Sequence, residues 1–158
     1  MSHEQKYSCP LCRTLASGTD KEVIKRVHKW VKKGKAWAQN DMGWFYRQGL
    51  HGLTQSHVMA FKLFEKAAQQ GHTNAMFNLG AMYKNGQGTD PSIEKAHAYC
   101  NMAADRGHSG AQYNIGCAYY NGDAGFNQSF EMAREWWTKA AAQGHEEAIK
   151  NLKILGGK

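Results

Sequence analysis

The stretch Gln70-Gly71-His72-Thr73-Asn74-Ala75-Met76-Phe77-Asn78-Leu79-Gly80-Ala81-Met82-Tyr83 returns 36 residues later as Arg106-Gly107-His108-Ser109-Gly110-Ala111-Gln112-Tyr113-Asn114-Ile115-Gly116-Cys117-Ala118-Tyr119. Gly-His occurs a third time at Gly144-His145, and a degenerate copy, Lys33-Gly34-Lys35, lies upstream. The glycine spacings are 37, 36 and 37. Asp41-Met42-Gly43-Trp44-Phe45-Tyr46 is an earlier form of Asn78 to Tyr83, and Ala67-Ala68, Ala103-Ala104 and Ala140-Ala141 keep the same register. Three independent features with one period indicate an array of short supersecondary units, each burying its apolar face against the next.

Each unit reads as two helices. In the middle copy the first runs from about Thr73 to Asn85, with Ala75, Leu79, Met82 and Tyr83 at i, i+4, i+7 and i+8, one helical face. Gly86 and Gly88 end it. Asp90 is the expected N-cap of the second helix, with Pro91 in its first turn. That helix runs to about Arg106 and carries a stripe of Ala96, Tyr99, Cys100, Ala103 and Ala104. Gly107 follows, where a helix end wants a left-handed residue. Gly43, Gly80 and Gly116 stand inside the first helices, where glycine costs about 0.5–1 kcal/mol relative to alanine. Their expected role is close helix approach, Gly80 against Ala96 or Ala103.

The flanks fit the same scheme. Residues 21–33 match a second helix, with Val23, Val27, Trp30 and Val31 inward. Glu146 to Leu155 mimics a first helix, with Ala148 and Leu152 in register and Lys153 in place of the packing glycine. The expected fold is all-α: a right-handed α-solenoid of three helix-turn-helix repeats (35–71, 72–107 and 108–144). A basic capping helix at 20–34 and a C-terminal one at 145–158 would close it, after an N-terminal segment at 1–19.

The 158 residues are 42% hydrophobic and 21% charged with two prolines, which excludes a disordered tail and a collagen-like fibre. Mean hydropathy is −0.67, and no apolar run approaches the roughly 20 residues of a membrane span. The opening residues lack the apolar core of a signal peptide, so a cytoplasmic or nuclear location is expected. Charge is uneven: residues 1–39 hold nine Lys/Arg and three Asp/Glu, against eleven and ten in the remainder.

Ala111-Gln112-Tyr113-Asn114-Ile115-Gly116, then Tyr119-Tyr120-Asn121-Gly122, Ala133, Trp137, Lys139-Ala140-Ala141 and Gln143-Gly144-His145 together resemble the Sel-1-like repeat family, relatives of tetratricopeptide repeats. The resemblance covers about residues 20–155. It departs from the pattern in the first copy, at Asn40-Asp41-Met42 and in the longer turn Gly49-Leu50-His51-Gly52-Leu53. It implies a protein-interaction adaptor that holds a protein or peptide in a groove lined by first helices. By that resemblance the groove positions are Asn40, Trp44, Arg47 and Gln48; then Phe77, Ala81, Lys84 and Asn85; then Tyr113, Cys117, Tyr120 and Asn121. Trp44, Arg47, Lys84 and Tyr120 are expected to be exposed, while Phe77 and Tyr113 divide between groove and core. Gly71, Gly107 and Gly144 join the packing glycines as structural markers of the repeat.

Tyr7-Ser8-Cys9-Pro10-Leu11-Cys12-Arg13-Thr14 resembles the closing segment of a RING-type zinc finger. Two thiolates three residues apart can hold one face of a tetrahedral zinc. Upstream only His3 is available, so Cys9 and Cys12 make an incomplete site. Three readings stay open: a truncated RING-plus-repeat protein, an inert remnant, or zinc completed by His3 or a second chain. The resemblance therefore carries a second role, the substrate-recognition part of a RING-type ubiquitin ligase. No other cofactor is implied.

Enzyme signatures are absent: no GxSxG, no Walker loop, no GxGxxG between strand and helix. His72, His108 and His145 recur once per repeat and read as structural groups at helix starts. A metal ladder would need them closer than packed helices allow, about 10 Å. Cys100 aligns with Phe64 and Trp137 and reads as a small core residue. Lys25, Lys29, Lys32 and Lys33 form a basic run with no aromatics interleaved on its polar face, so nucleic acid is not the expected partner. The sequence carries no signal for an oligomeric state.

Overall fold

The computed structural model describes residues 19–123 and 125–156. Among them are eight helices and no strand: α1 (Asp20–Lys32), α2 (Ala36–Gln48), α3 (His57–Gln69), α4 (Thr73–Asn85), α5 (Ile93–Asp105), α6 (Ser109–Asn121), α7 (Phe130–Ala142) and α8 (Glu146–Gly156). They form two compact units, one up to His72 with α1 to α3 and one from Thr73 with α4 to α8. Three helix pairs, α2 with α3, α4 with α5 and α6 with α7, are the three repeats.

One joint recurs in every pair. Ser56, Ser92 and Ser129 are the N-caps of α3, α5 and α7, and each hydroxyl accepts the amide three residues on, from Met59, Lys95 and Met132, at 3.2–3.3 Å. Each serine amide donates to a tyrosine carbonyl in the preceding helix, Tyr46, Tyr83 or Tyr119, at 2.9 Å. This corrects the expectation for Asp90 and Pro91, both of which precede α5. The backbone bond to Tyr83 sets Ser92 where its hydroxyl reaches the helix start. Pro91 rests against Gly86 instead, where an added Cβ would meet the ring at 3.3 Å.

In the first unit, Val23 and Val27 of α1 pack with Ala38, Met42 and Phe45 of α2 and Leu63 of α3. Trp30 and Val31, expected inward, are half-buried at the rim of this cluster. The α1 start is held by Glu22, whose carboxylate accepts the Thr19 amide at 3.0 Å. The longer turn earns its length: Leu53 joins the core edge, and His51 bonds the Asp20 carboxylate at 2.7 Å with its ring edge-on to Phe45.

In the second unit, Ala75, Leu79 and Met82 of α4, Ala96, Ala103 and Ala104 of α5, and Ala111 and Ile115 of α6 are buried. Ala133, Trp137 and Ala140 of α7 pack with Ala148 of α8. Tyr99 and Cys100, read as part of the α5 stripe, are only half-buried.

The helical glycines make room in two ways, Gly80 for a facing helix backbone and Gly43 and Gly116 for an aromatic ring. A Cβ on Gly80 would sit 3.1 Å from the Ala96 carbonyl, so these two backbones touch. On Gly116 it would fall 2.4 Å from the Trp137 ring, and on Gly43 2.9 Å from Phe64. The tryptophan is fixed from the other side as well, its indole N–H donating to the Tyr113 carbonyl at 3.2 Å. A side chain at Gly116 would therefore need to displace a buried, hydrogen-bonded ring.

Candidate functional site

The sequence-derived groove positions separate once placed. Asn40 is 8% exposed and donates to Asp41 at 3.3 Å, so it faces the interior of the first unit. Trp44 is half-buried rather than exposed, and the Arg47 guanidinium lies 5.8 Å from its ring. Burial pushes the Arg47 pKa down. Gln48 is exposed at the end of α2.

In the second unit, Phe77 and Tyr113 each lie under a histidine. His108 stacks on Phe77 with centroids 4.4 Å apart, and His145 stacks on Tyr113 at 4.6 Å. The same histidines cap helices: His108 Nδ1 accepts the Ala111 amide at 3.1 Å, and His145 Nδ1 accepts that of Ala148 at 3.4 Å. At Gly107-His108 and Gly144-His145 the histidine is thus a helix start whose ring also covers the previous first helix. Burial lowers the pKa of His108 and of His72. Ala81 is half-buried, while Lys84 and Asn85 are exposed at the α4 end.

Four of the groove positions come together. Cys117, Tyr120 and Asn121 of α6 line a pocket of about 260 Å³ with Trp137 of α7 and Asn151, Ile154 and Leu155 of α8. Tyr113 joins it at the edge, where the neighbouring Cys117 side chain and burial push its phenol pKa up. Tyr120 lies between two rings, 5.2 Å from Phe130 and 5.4 Å from Trp137. Ile154 is 63% exposed at the rim, which is costly for a large aliphatic group in water.

The α8 contribution was missed. Asn151 and Ile154 stand 37 residues after Asn114 and Cys117, so the repeat period itself held the signal. The pocket has an aromatic floor, an aliphatic rim and two carboxamides, Asn121 and Asn151. An apolar side chain fits the floor, and each carboxamide can both donate to and accept from a peptide backbone.

Among the described residues there is no group of three or more His, Cys, Asp or Glu placed to hold a metal ion. Cys100 and Cys117 are free thiols, and burial pushes Cys100 up to about 11, far from a reactive thiolate. Cys9, Cys12 and His3 lie outside the described residues.

Comparison with known proteins agrees with this architecture. The Sel1 repeat profile matches residues 38–72, 73–108 and 109–145. A curated relative, the ERAD-associated E3 ubiquitin-protein ligase component HRD3A of Arabidopsis thaliana, is 35% identical over 71 residues, 45% of this chain and 10% of its own length. A Sel1 repeat protein from Oxalobacter formigenes superposes with a TM-score of 0.83 at 25% identity, over 90% of this chain and 58% of that one. Helicobacter pylori cysteine rich protein B gives 0.65 at 23% identity, over 86% and 98% of the two chains. The chain thus spans a tenth of the curated relative and just over half of the first of these structures. The all-α repeat solenoid expected from the sequence is the fold they share. No finding supports a RING-type finger remnant.

Proposed function

The chain belongs to the Sel1 repeat family of protein-interaction scaffolds, and on that premise we propose that it holds an extended segment of a partner protein against α6 and α8. The observation that carries this reading is the pocket of Cys117, Tyr120, Asn121, Trp137, Asn151, Ile154 and Leu155. Its floor takes one bulky apolar side chain, and Asn121 and Asn151 grip the flanking backbone. Aromatic anchors of this kind supply most of the energy in protein recognition. The chain works by binding and carries out no chemistry of its own. Trp44 with Arg47 in the first unit, and Phe77, Lys84 and Asn85 in the second, are further contact candidates.

Selection of peptides from a displayed random library tests the proposal. Sequences centred on one large apolar residue should be enriched. Tyr120→Ala should weaken the best of them by about 2 kcal/mol, roughly thirtyfold, and Asn151→Ala by about 1 kcal/mol. Enrichment that is indifferent to both substitutions would refute it.

The likeness to HRD3A favours one setting for this binding, an adaptor within a ubiquitin-ligase assembly. In that reading Cys9 and Cys12 contribute to a zinc finger completed by other ligands. Native mass spectrometry checks it: zinc at one per chain, lost in Cys9→Ser, is the expected result, and a metal-free chain would remove the finger from the proposal.

A further inference from the structure

A second surface lies on α1. Its buried stripe is Val23 and Val27. On the opposite side, Lys21, Lys25, Lys29 and Lys32 are all exposed. Their steps of four, four and three residues confine them to one arc of the helix, spread over about 16 Å of its axis. Lysines four apart repel each other and weaken a helix by about 0.2–0.5 kcal/mol per pair.

Helices commonly offset such a run with acids at the same spacing. Helix α1 has two acids, and both are committed elsewhere. Glu22 accepts the Thr19 amide at 3.0 Å, and Asp20 bonds His51 at 2.7 Å. Among the described residues, none of the four lysines is within ion-pair distance of a carboxylate. Lys33, just beyond, is turned onto the Trp30 ring at 4.8 Å and is not part of the row. The row is therefore a self-repelling line of positive charge without an ion pair on an ordered helix.

We propose that this face docks an acidic segment of a protein partner, with carboxylates spaced to match the row. Charge complementarity names the occupant. A helix with acids at i, i+4, i+8 and i+11 offers the same steps along its own axis. The row itself holds only lysines, with the His28 imidazole at one border and Arg26 beyond the other. It has none of the amide, tryptophan, tyrosine or phenylalanine groups that read or stack on bases. Nor does it present an apolar group for insertion into a bilayer, since the valines are buried.

The test uses the full chain and a synthetic helical peptide with glutamates at i, i+4, i+8 and i+11, its glutamine counterpart serving as control. Fluorescence anisotropy should detect the glutamate peptide only, with affinity falling at least about tenfold between roughly 0.05 and 0.3 M salt. Lys25→Glu combined with Lys29→Glu should abolish binding, while Lys62→Glu on α3 should leave it intact. Lys25→Gln with Lys29→Gln should weaken binding about tenfold or more and leave Tm unchanged or higher, because it relieves repulsion. Equal binding of the glutamine peptide, full binding by the Lys25 and Lys29 variants, or tighter binding of an RNA duplex or of phosphatidylserine vesicles would each overturn the proposal.

Discussion

Asp41 occupies a position at which the other copies of the motif carry Asn78, Asn114 and Asn151. Burial raises its carboxyl to about 6, and the Asn40 amide offsets only part of that effect. A folded-state pKa above the unfolded one means that the folded protein holds the proton more tightly. Stability is therefore greatest below the unfolded value and declines as pH rises through about 6. Asp41→Asn should raise stability by on the order of 2 kcal/mol near pH 8, with the gain shrinking towards pH 5. Denaturant melts at the two pH values check this, and a gain independent of pH would be the wrong result. His108 has the opposite sign. Its lowered pKa means that it stabilises the fold as the neutral cap of α6, at and above the ordinary histidine range. That contribution is lost as pH falls from the unfolded value towards the lowered one, because a proton on Nδ1 would face the Ala111 amide. His108→Asn keeps a capping acceptor that does not titrate. Compared with the native chain, it should lose less stability between about pH 7 and 5, as thermal melts would reveal.

The pairs α4 with α5 and α6 with α7 are built on the same glycine, but their opposing surfaces differ. At Gly116 the obstacle is the Trp137 ring, 2% exposed and hydrogen-bonded, whereas at Gly80 it is the α5 backbone. Gly116→Ala should lower stability by about 1–3 kcal/mol, the usual cost of overpacking. Trp137→Leu should recover part of that loss when combined with it, since the smaller residue leaves room for the methyl. Strict additivity of the two changes would contradict this packing. The substitution Gly80→Val should also lower Tm well beyond its helix-propensity cost, as there the helix axes themselves must part. The helix-starting serines were legible at the same period, at Ser56, Ser92 and Ser129, yet Asp90-Pro91 is the stronger local signal and drew the boundary two residues early. What decided the matter was the backbone bond to Tyr83, a contact across the turn that no local propensity encodes.

Across the chain, the eight helices and the order of their pairing were readable because one period fixes glycine, alanine and aromatic positions together. The pocket was readable by half. Cys117, Tyr120 and Asn121 follow from the first-helix register, while Asn151 and Ile154 belong to a helix read as a cap, with Lys153 at the packing position. Asn40 could not be placed from its neighbours: its equivalents are Phe77 and Tyr113, and a small amide at that point turns inward where a ring would lie against a histidine. No described helix is long and apolar enough to cross a membrane. Two surfaces of different chemistry are thus proposed for binding, a pocket for an apolar anchor and a lysine row for negative charge. Binding at the pocket should change little with salt, unlike binding at α1. The decisive measurement is an NMR titration of the isotope-labelled chain with a peptide selected from a library. Shifts concentrated on Cys117, Tyr120, Asn121, Asn151 and Ile154 are the expected result. A peptide that binds while leaving these five resonances in place would contradict the assignment of the pocket as the recognition site.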